Sequence, residues 1–302
     1  MGSQSECYEL RQVLRKEELA TLAAKIKANV PYCASMHNNL LIASRGYSEG
    51  FRFEFYVPKM YPESNIVIWS RTTDVSRSLG MHCAEEEVPL LLCFVKAASF
   101  SSLVKEKPLY LFHLSSYLVD PVAEAFQEIF QRPFGKYPHP TFTYLRQQTY
   151  PLRCPAGMKV QRLGKAGVRH LLEKSKFSKA ESVDLYYALT LNAPALGVFL
   201  DPSVKEDEVI HPEGIDFADE SAIPISWVST YAYGAIGMLM TDPGYQRRGL
   251  AILLTELLGR LLLADGYIPH ANVEPHNETS LRMFEKLEGW ENTHFSTWMT
   301  PE

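Results

Sequence analysis

Met238-Leu-Met-Thr-Asp-Pro-Gly-Tyr-Gln-Arg-Arg-Gly-Leu-Ala251 is the stretch from which the chain is read. Apolar residues run up to Thr241, the pattern of a strand that ends there. Asp242-Pro243-Gly244 is a turn sequence. A helix is expected from Gln246 to Ala264, because apolar residues fall at 250, 253, 254, 257, 258, 261 and 262, one stripe at helical spacing. Asp265-Gly266 stops it. A junction of strand, turn and helix suits an anion. The first helical turn carries backbone N–H groups without intrahelical acceptors and the positive end of the helix dipole. Gly249 and Ala251 are small enough for phosphate oxygens to approach the backbone, and Arg247 and Arg248 add positive charge. The alternative is an ordinary helix start with two solvated arginines.

Around this junction strands and helices alternate. Residues 223–230 and 233–241 read as a hairpin, 158–163 and 195–200 as strands, and 165–175 and 182–192 as helices. Residues 201–222 form a loop rich in Asp and Glu, read as solvated, with attraction of a cationic acceptor as the alternative. Beyond the junction come a strand at 268–274, a helix at 277–287 and a strand at 295–300. In the first half a helical pattern over residues 10–26 stops at Pro31, and Leu40 to Ala43 reads as a buried strand. Phe51, Phe53, Phe55 and Val57 alternate with polar or bulkier neighbours, a period-two strand. Residues 66–69 and 110–117 read as strands and 122–130 as a helix, while 88–103 mixes both patterns. The prolines at 133, 138, 140, 151 and 155 are expected to prevent long regular elements, which places a domain junction near residue 150. The expected class is α/β (α+β) with mixed sheets, in two domains, 1–150 and 151–302.

The 302 residues are enough for two domains, and 46% hydrophobic with 22% charged residues is the composition of a globular protein. A net charge of -5 argues against a nucleic-acid binder. No apolar run reaches the length of a membrane span. Cys7, Cys33, Cys83, Cys93 and Cys154 are odd in number and widely spaced, without CxxC, so reduced thiols are expected rather than disulfides or a metal site. Residues 1–6 lack a signal-peptide core, and the early Glu6 and Glu9 count against a mitochondrial presequence, so a cytoplasmic location is expected.

The pattern Gln246-Arg-Arg-Gly249-Leu-Ala251 between a strand and a helix resembles the coenzyme A pyrophosphate loop of the GNAT acyltransferases. Gly266 to Glu274, then Asn277-Glu-Thr-Ser280-Leu-Arg-Met-Phe284 and Gly289-Trp290, resemble the strand, helix and turn that follow it in that superfamily. Ile223-Pro-Ile-Ser-Trp227 and Gly234 to Gly249 are similar to the glycine N-acyltransferase-like, FR47-like branch. The resemblance implies tandem GNAT-like mixed-sheet domains, with only the second keeping the acyl-CoA loop. It implies that Gln246, Arg247, Arg248, Gly249, Leu250 and Ala251 hold the pyrophosphate. By the same resemblance the backbone of Met238, Leu239 and Met240 meets the pantetheine and the oxyanion, Asn277 and Ser280 border the coenzyme, and Phe284 stands at a coenzyme-contact position where a Phe ring is more often core. The Met side chains themselves are expected in the core. Asn277 is equally a helix N-cap by its position.

The implied activity is N-acyl transfer from acyl-CoA, acetyl-CoA or a longer homologue, to a small amine or amino acid by direct attack, without a metal. The superfamily's usual acid is a Tyr where this chain has Phe284, which has no proton to donate. The glycine-conjugating enzymes carry a Glu where this chain has Ala235. His270, Asn272 and Glu274 alternate on one strand and are expected to share a face, so His270 and Glu274 are the candidate general bases. The missing groups motivate a second reading, a catalytically inactive acyl-CoA-binding module. Gly46-Tyr-Ser48-Glu-Gly50 spells a serine-hydrolase elbow, but the helix that this motif requires is not expected after Ser48.

Overall fold

The computed structural model describes residues 8–47, 49–73, 76–97, 100, 104, 108–176 and 181–302. In chain order they form β1 (Leu10–Val13), α1 (Lys16–Ile26), α2 (Ala34–Ser44), β2 (Phe53–Pro58), β3 (Val67–Thr72), β4 (Arg77–His82) and α3 (Val88–Lys96). Then follow β5 (Leu109–Ser115), α4 (Ser116–Phe130), β6 (Phe134–Tyr144), β7 (Arg153–Cys154), β8 (Met158–Arg162), α5 (Lys165–Lys174), α6 (Val183–Thr190) and β9 (Leu196–Leu200). The chain ends with β10 (Glu208–Val209), β11 (Ser226–Thr230), β12 (Ile236–Thr241), α7 (Leu250–Ala264), β13 (His270–Asn272), α8 (Glu278–Phe284) and β14 (Trp290–Pro301).

Met1–Thr141, Val273–His276 and Thr293–Glu302 form one compact unit, and Phe142–Asn272 with Asn277–Asn292 a second. This division differs from a single junction near residue 150. The reason is the length of β6 and β14, whose two ends belong to different units.

In the first unit the strands are ordered β1-β2-β3-β4-β5-β14-β6. Its core gathers Ile68, Leu79 and Met81 from the sheet with Leu91, Phe94, Leu118, Val122 and Phe126 from α3 and α4, all buried. Leu10–Val13 is a strand rather than the start of a helix. Four residues satisfy either period, and antiparallel pairing of Val13 with Phe55 and Leu10 with Pro58 decides it. Leu40 to Ala43 belongs to α2, not to a strand. That helix buries His37, Asn38, Asn39, Leu40 and Ile42, so it shows no amphipathic period, and a short apolar run does not separate helix from strand.

The proline-rich stretch is also corrected, because β6 passes through Pro138 and Pro140. The even-numbered amides of β6 point towards residues 269–273: the Tyr144 N–H donates to Pro269 O at 2.9 Å, and Pro140 O accepts from the Val273 N–H at 3.0 Å. Both prolines remove an N–H on that side alone. The odd-numbered amides that face β14 are spared, so the strand survives.

The second unit is built on an antiparallel sheet ordered β12-β11-β9-β8. The apolar stripe of α7, with Leu253, Leu254, Leu257, Leu258 and Leu262, is buried as its spacing predicts. One charge interrupts it. Glu256, 1% exposed, accepts from Tyr144 Oη at 2.8 Å and from Arg260 Nε at 3.0 Å, and Arg260 Nη1 donates to Tyr150 O at 2.8 Å. The acidic loop is not merely solvated. β10 pairs with β7, Asp207 Oδ1 accepts from the Ala156 N–H, and Glu220 accepts from the Lys165 N–H and from Tyr187 Oη. These carboxylates fasten the loop to neighbouring backbone.

Candidate functional site

β12 is the edge strand of its sheet, so one side of its backbone has no strand partner. β13 comes within 8 Å of β12, Cα to Cα, yet is not one of the strands of that sheet. A gap without a hydrogen-bond ladder therefore runs along β12. Within it the strand is distorted. Trp227 pairs with Met240 and Ser229 with Gly237, so Val228 alone stands opposite Met238 and Leu239. This is a β-bulge, and Met238 takes a φ of 52°, rare for a residue with a side chain. A bulge turns local N–H and C=O groups out of the ladder direction. Met238 and Leu239 are half-buried and Met240 is 45% exposed, so the Met side chains are not the core residues they were expected to be. The reason is the edge position of β12.

At the end of β12 the chain makes a 3-10 turn over Pro243–Tyr245. Gln246 is extended, while Arg247 (φ 63°) and Gly249 (φ 78°) are left-handed. The helix α7 therefore starts at Leu250 instead of Gln246, because two left-handed residues break the helical path. Gln246 Nε2 donates to Thr241 O at 3.1 Å, which closes the loop on the strand end. The Arg248 guanidinium lies 5.3 Å from the Tyr245 ring. Among the described residues, the backbone N–H groups of Arg247, Arg248, Gly249, Leu250 and Ala251 find no hydrogen-bond acceptor. The first bond of the helix is Leu253 N–H to Gly249 O at 2.9 Å. A row of unused donors at a helix start, with two exposed arginines beside it, is a fit for a pyrophosphate. A Cβ on Gly249 would meet nothing within 4 Å, so the space in front of the loop is open.

The remaining expected residues divide. Asn277 is the N-cap of α8: its Oδ1 accepts from the Ser280 N–H at 3.1 Å. Ser280 is half-buried in the first turn of that helix. Leu250 offers a backbone N–H, but its side chain is buried. Of the two readings of Phe284 the structure bears out the core one, not coenzyme contact: it is 4% exposed, stacked on Phe142 at 5.0 Å and edge-on to Trp290 at 5.1 Å. An aromatic ring with an apolar cluster in reach packs there.

His270 and Glu274 are not gathered on one strand face. β13 ends at Asn272, and Glu274 belongs to the first unit, where its charge acts on His139. His270 is 1% exposed, and its Nδ1 lies 3.0 Å from Ile268 O. A carbonyl only accepts, so Nδ1 carries the hydrogen and Nε2 is the basic nitrogen of the neutral ring. Sequence reading missed the Met238 bulge and the paired rings of Tyr231 and Tyr233, 5.1 Å apart and nearly parallel, beside the start of β12. No residue type marks a bulge, and the two tyrosines gave no pattern beyond that of a turn.

Ser48 and Cys7 lie outside the described residues; from Glu49 the chain makes a 3-10 turn and enters β2. Cys33, Cys83, Cys93 and Cys154 are free, and burial pushes the Cys33 and Cys83 thiols up to about 12. Among the described residues no three His, Cys, Asp or Glu side chains are grouped to hold a metal ion, and no helix is long and apolar enough to cross a membrane.

Residues 218–299 match the model of a family described as FR47-like protein. A search of curated proteins finds no match. Among solved structures the chain is similar to a Drosophila protein, with a TM-score of 0.71 at 14% identity over 97% of this chain and 98% of that one. It is similar to a GCN5-related N-acetyltransferase from Sphaerobacter thermophilus, with 0.54 at 10% identity over 97% and 95%. It is also similar to a tandem GNAT protein from the clavulanic acid biosynthesis pathway, with 0.54 at 12% identity over 97% and 98%. At such identities the likeness is one of fold.

Proposed function

We propose that this chain, a member of the GNAT superfamily by its tandem fold and by its FR47-like segment at residues 218–299, transfers an acyl group from coenzyme A to the nitrogen of a small amine or amino acid. The observation that carries this reading is the row of unused N–H donors from Arg247 to Ala251, placed where the ladder-free edge of β12 begins. The loop would hold the pyrophosphate, with Arg247 and Arg248 adding charge-assisted bonds. The pantetheine amides would then take up backbone groups of Met238, Leu239 and Met240. The acceptor nitrogen, in its neutral form, attacks the thioester carbonyl carbon. A backbone N–H at the Met238 bulge is suited to the oxyanion that develops. The C–S bond breaks, the thiolate takes a proton, and the amine loses one.

His270 Nε2 is our candidate to receive that proton, directly or through water. The domain from about residue 151 onward carries the chemistry in this account, and a cytoplasmic location is part of it. The assay is thiol release from acetyl-CoA across a panel of amines and amino acids. Release that requires both acceptor and protein supports transfer, and its loss in His270→Asn assigns the base.

A second reading, an acyl-CoA-binding module without turnover, is favoured by Phe284 and Ala235, which are buried and have no acid or base to offer. It predicts coenzyme binding with no thiol release from any pair.

A further inference from the structure

We infer that Tyr231 closes the inner end of the acyl channel and confines this protein to short acyl groups, an inference that rests on the acyl-CoA reading above. The route to this ring starts at the pyrophosphate loop. From Thr241 back to Met238, β12 spans roughly 10 Å at about 3.3 Å per residue. An extended pantetheine arm anchored at Arg247 to Ala251 follows that edge and brings the thioester level with the bulge.

The residue just past the bulge is Gly237, and a ring lies against it. A Cβ at Gly237 would stand 2.1 Å from Tyr231 Cε2, 2.9 Å from Cδ2 and 3.0 Å from Cζ. No other residue type leaves room for the Tyr231 ring in this position. Gly237 and Tyr231 are therefore one device: the missing side chain lets the aromatic wall come up against the strand backbone beside the bulge.

The wall is held from behind. The Tyr231 N–H donates to Ala235 O at 2.8 Å, and the Gly234 N–H donates to Tyr231 O at 2.8 Å. Gly234 turns the chain at a φ of 87°. The Tyr233 ring stacks on Tyr231 with 7° between their planes, and Ala235 and Ile236 behind the turn are buried. An acyl chain that extends beyond the bulge along β12 meets a braced ring rather than a mobile side chain. Acetyl and propionyl groups end before it; a medium chain runs into it.

The test is a calorimetric titration of the full chain with coenzyme A, acetyl-CoA, butyryl-CoA and octanoyl-CoA. The expected wild-type series is acetyl-CoA close to coenzyme A, and octanoyl-CoA about tenfold or more weaker than acetyl-CoA, although each newly buried methylene alone is worth about fourfold in the opposite direction. Tyr231→Ala opens the wall and is expected to raise the preference for octanoyl-CoA over acetyl-CoA by about tenfold or more, as a few methylenes become buried. Tyr231→Leu, which keeps an apolar body, is measured alongside in case the Ala variant does not fold, and should shift the same ratio by a smaller amount. Octanoyl-CoA binding to the wild type as tightly as acetyl-CoA overturns the inference. So does an unchanged ratio in the variants. In either case coenzyme A binding itself leaves the acyl-CoA reading standing, whereas absence of binding by every member of the series overturns both.

Discussion

Replacing Gly249 separates the folding of the loop from what the loop holds. Gly249 has a φ of 78°, and a Cβ there would touch nothing within 4 Å. The cost to the fold is then the left-handed backbone alone, about 1–2 kcal/mol for an L-residue. For a unit of this size each kcal/mol lowers the melting temperature by roughly 2–4 °C, so Gly249→Ala and Gly249→Glu should both fold and melt only a few degrees early. Their effects on ligand differ. The glutamate places a carboxylate in the open space before the unused N–H groups of Arg247 to Ala251. Against a phosphate charge about 5 Å away, at an effective dielectric of about 20, the repulsion is about 3 kcal/mol. That is about a hundred-fold or more in Kd. The alanine has the strain without the charge and should cost less than about tenfold. Thermal melts run beside calorimetric titrations with coenzyme A read both effects. A Glu variant that melts within a few degrees of the wild type and binds coenzyme A as tightly would show that no phosphate sits before these N–H groups.

Burial holds the His82 imidazole down to about 4, and Asn29 Nδ2 lies 3.3 Å from its Nε2. An unfolded His titrates near about 6.5, so the unfolded chain takes the proton first. The stability tied to neutral His82 is complete above that pH and is lost as pH falls towards 4, up to about 3 kcal/mol. His294, lowered to about 4 by burial as well, acts in the same direction. Urea midpoints between pH 7 and pH 4.5 should fall steeply in the wild type and less steeply in His82→Gln; equal slopes contradict this. Glu256→Ala leaves the Arg260 guanidinium, 13% exposed, without its carboxylate, and should destabilise by about 3–5 kcal/mol in urea unfolding. A loss below about 1 kcal/mol would show that the pair is dispensable. Asn277→Ala removes the cap on the Ser280 N–H and should cost about 1 kcal/mol, which Asn277→Asp restores; a melt that Asn277→Ala leaves unchanged denies the cap.

Much of this architecture was legible because its residues repeat at a period that one face of an element can satisfy. The stripe of α7 at Leu250, Leu253, Leu254, Leu257, Leu258 and Leu262 is buried as read; in β2 the alternation marks a strand, but Phe53 is half-buried and Tyr56 is buried between Phe55 and Val57. Where an element is buried all round, as α2 is around Asn38, Asn39 and Leu40, no period survives to be read. β6 is not legible because Pro138 and Pro140 mark breaks in the sequence, and only the pairing shows that their missing N–H groups lie on the side away from β14. The site divides on the same principle. The loop from Gln246 to Ala251 is a local sequence, so its residue types announced it. The Met238 bulge depends on the register in which β12 pairs with β11, and the Tyr231 wall on the turn that folds that ring over Gly237, neither of which the residue types of this hairpin announce. Phe284 shows the converse: its place in a recognised pattern suggested the coenzyme, but its neighbours Phe142 and Trp290 put it in the core.

Whether the loop from Gln246 to Ala251 holds a pyrophosphate is read by a calorimetric titration of the full chain with coenzyme A at low and at high salt, with pantetheine as the ligand that lacks the pyrophosphate. Coenzyme A should bind saturably at a single site, weakened by salt because the contacts are ionic, and pantetheine should bind much more weakly. No saturable binding of coenzyme A at millimolar concentration, or equal affinity for pantetheine, would contradict the claim that the loop from Gln246 to Ala251 holds a pyrophosphate.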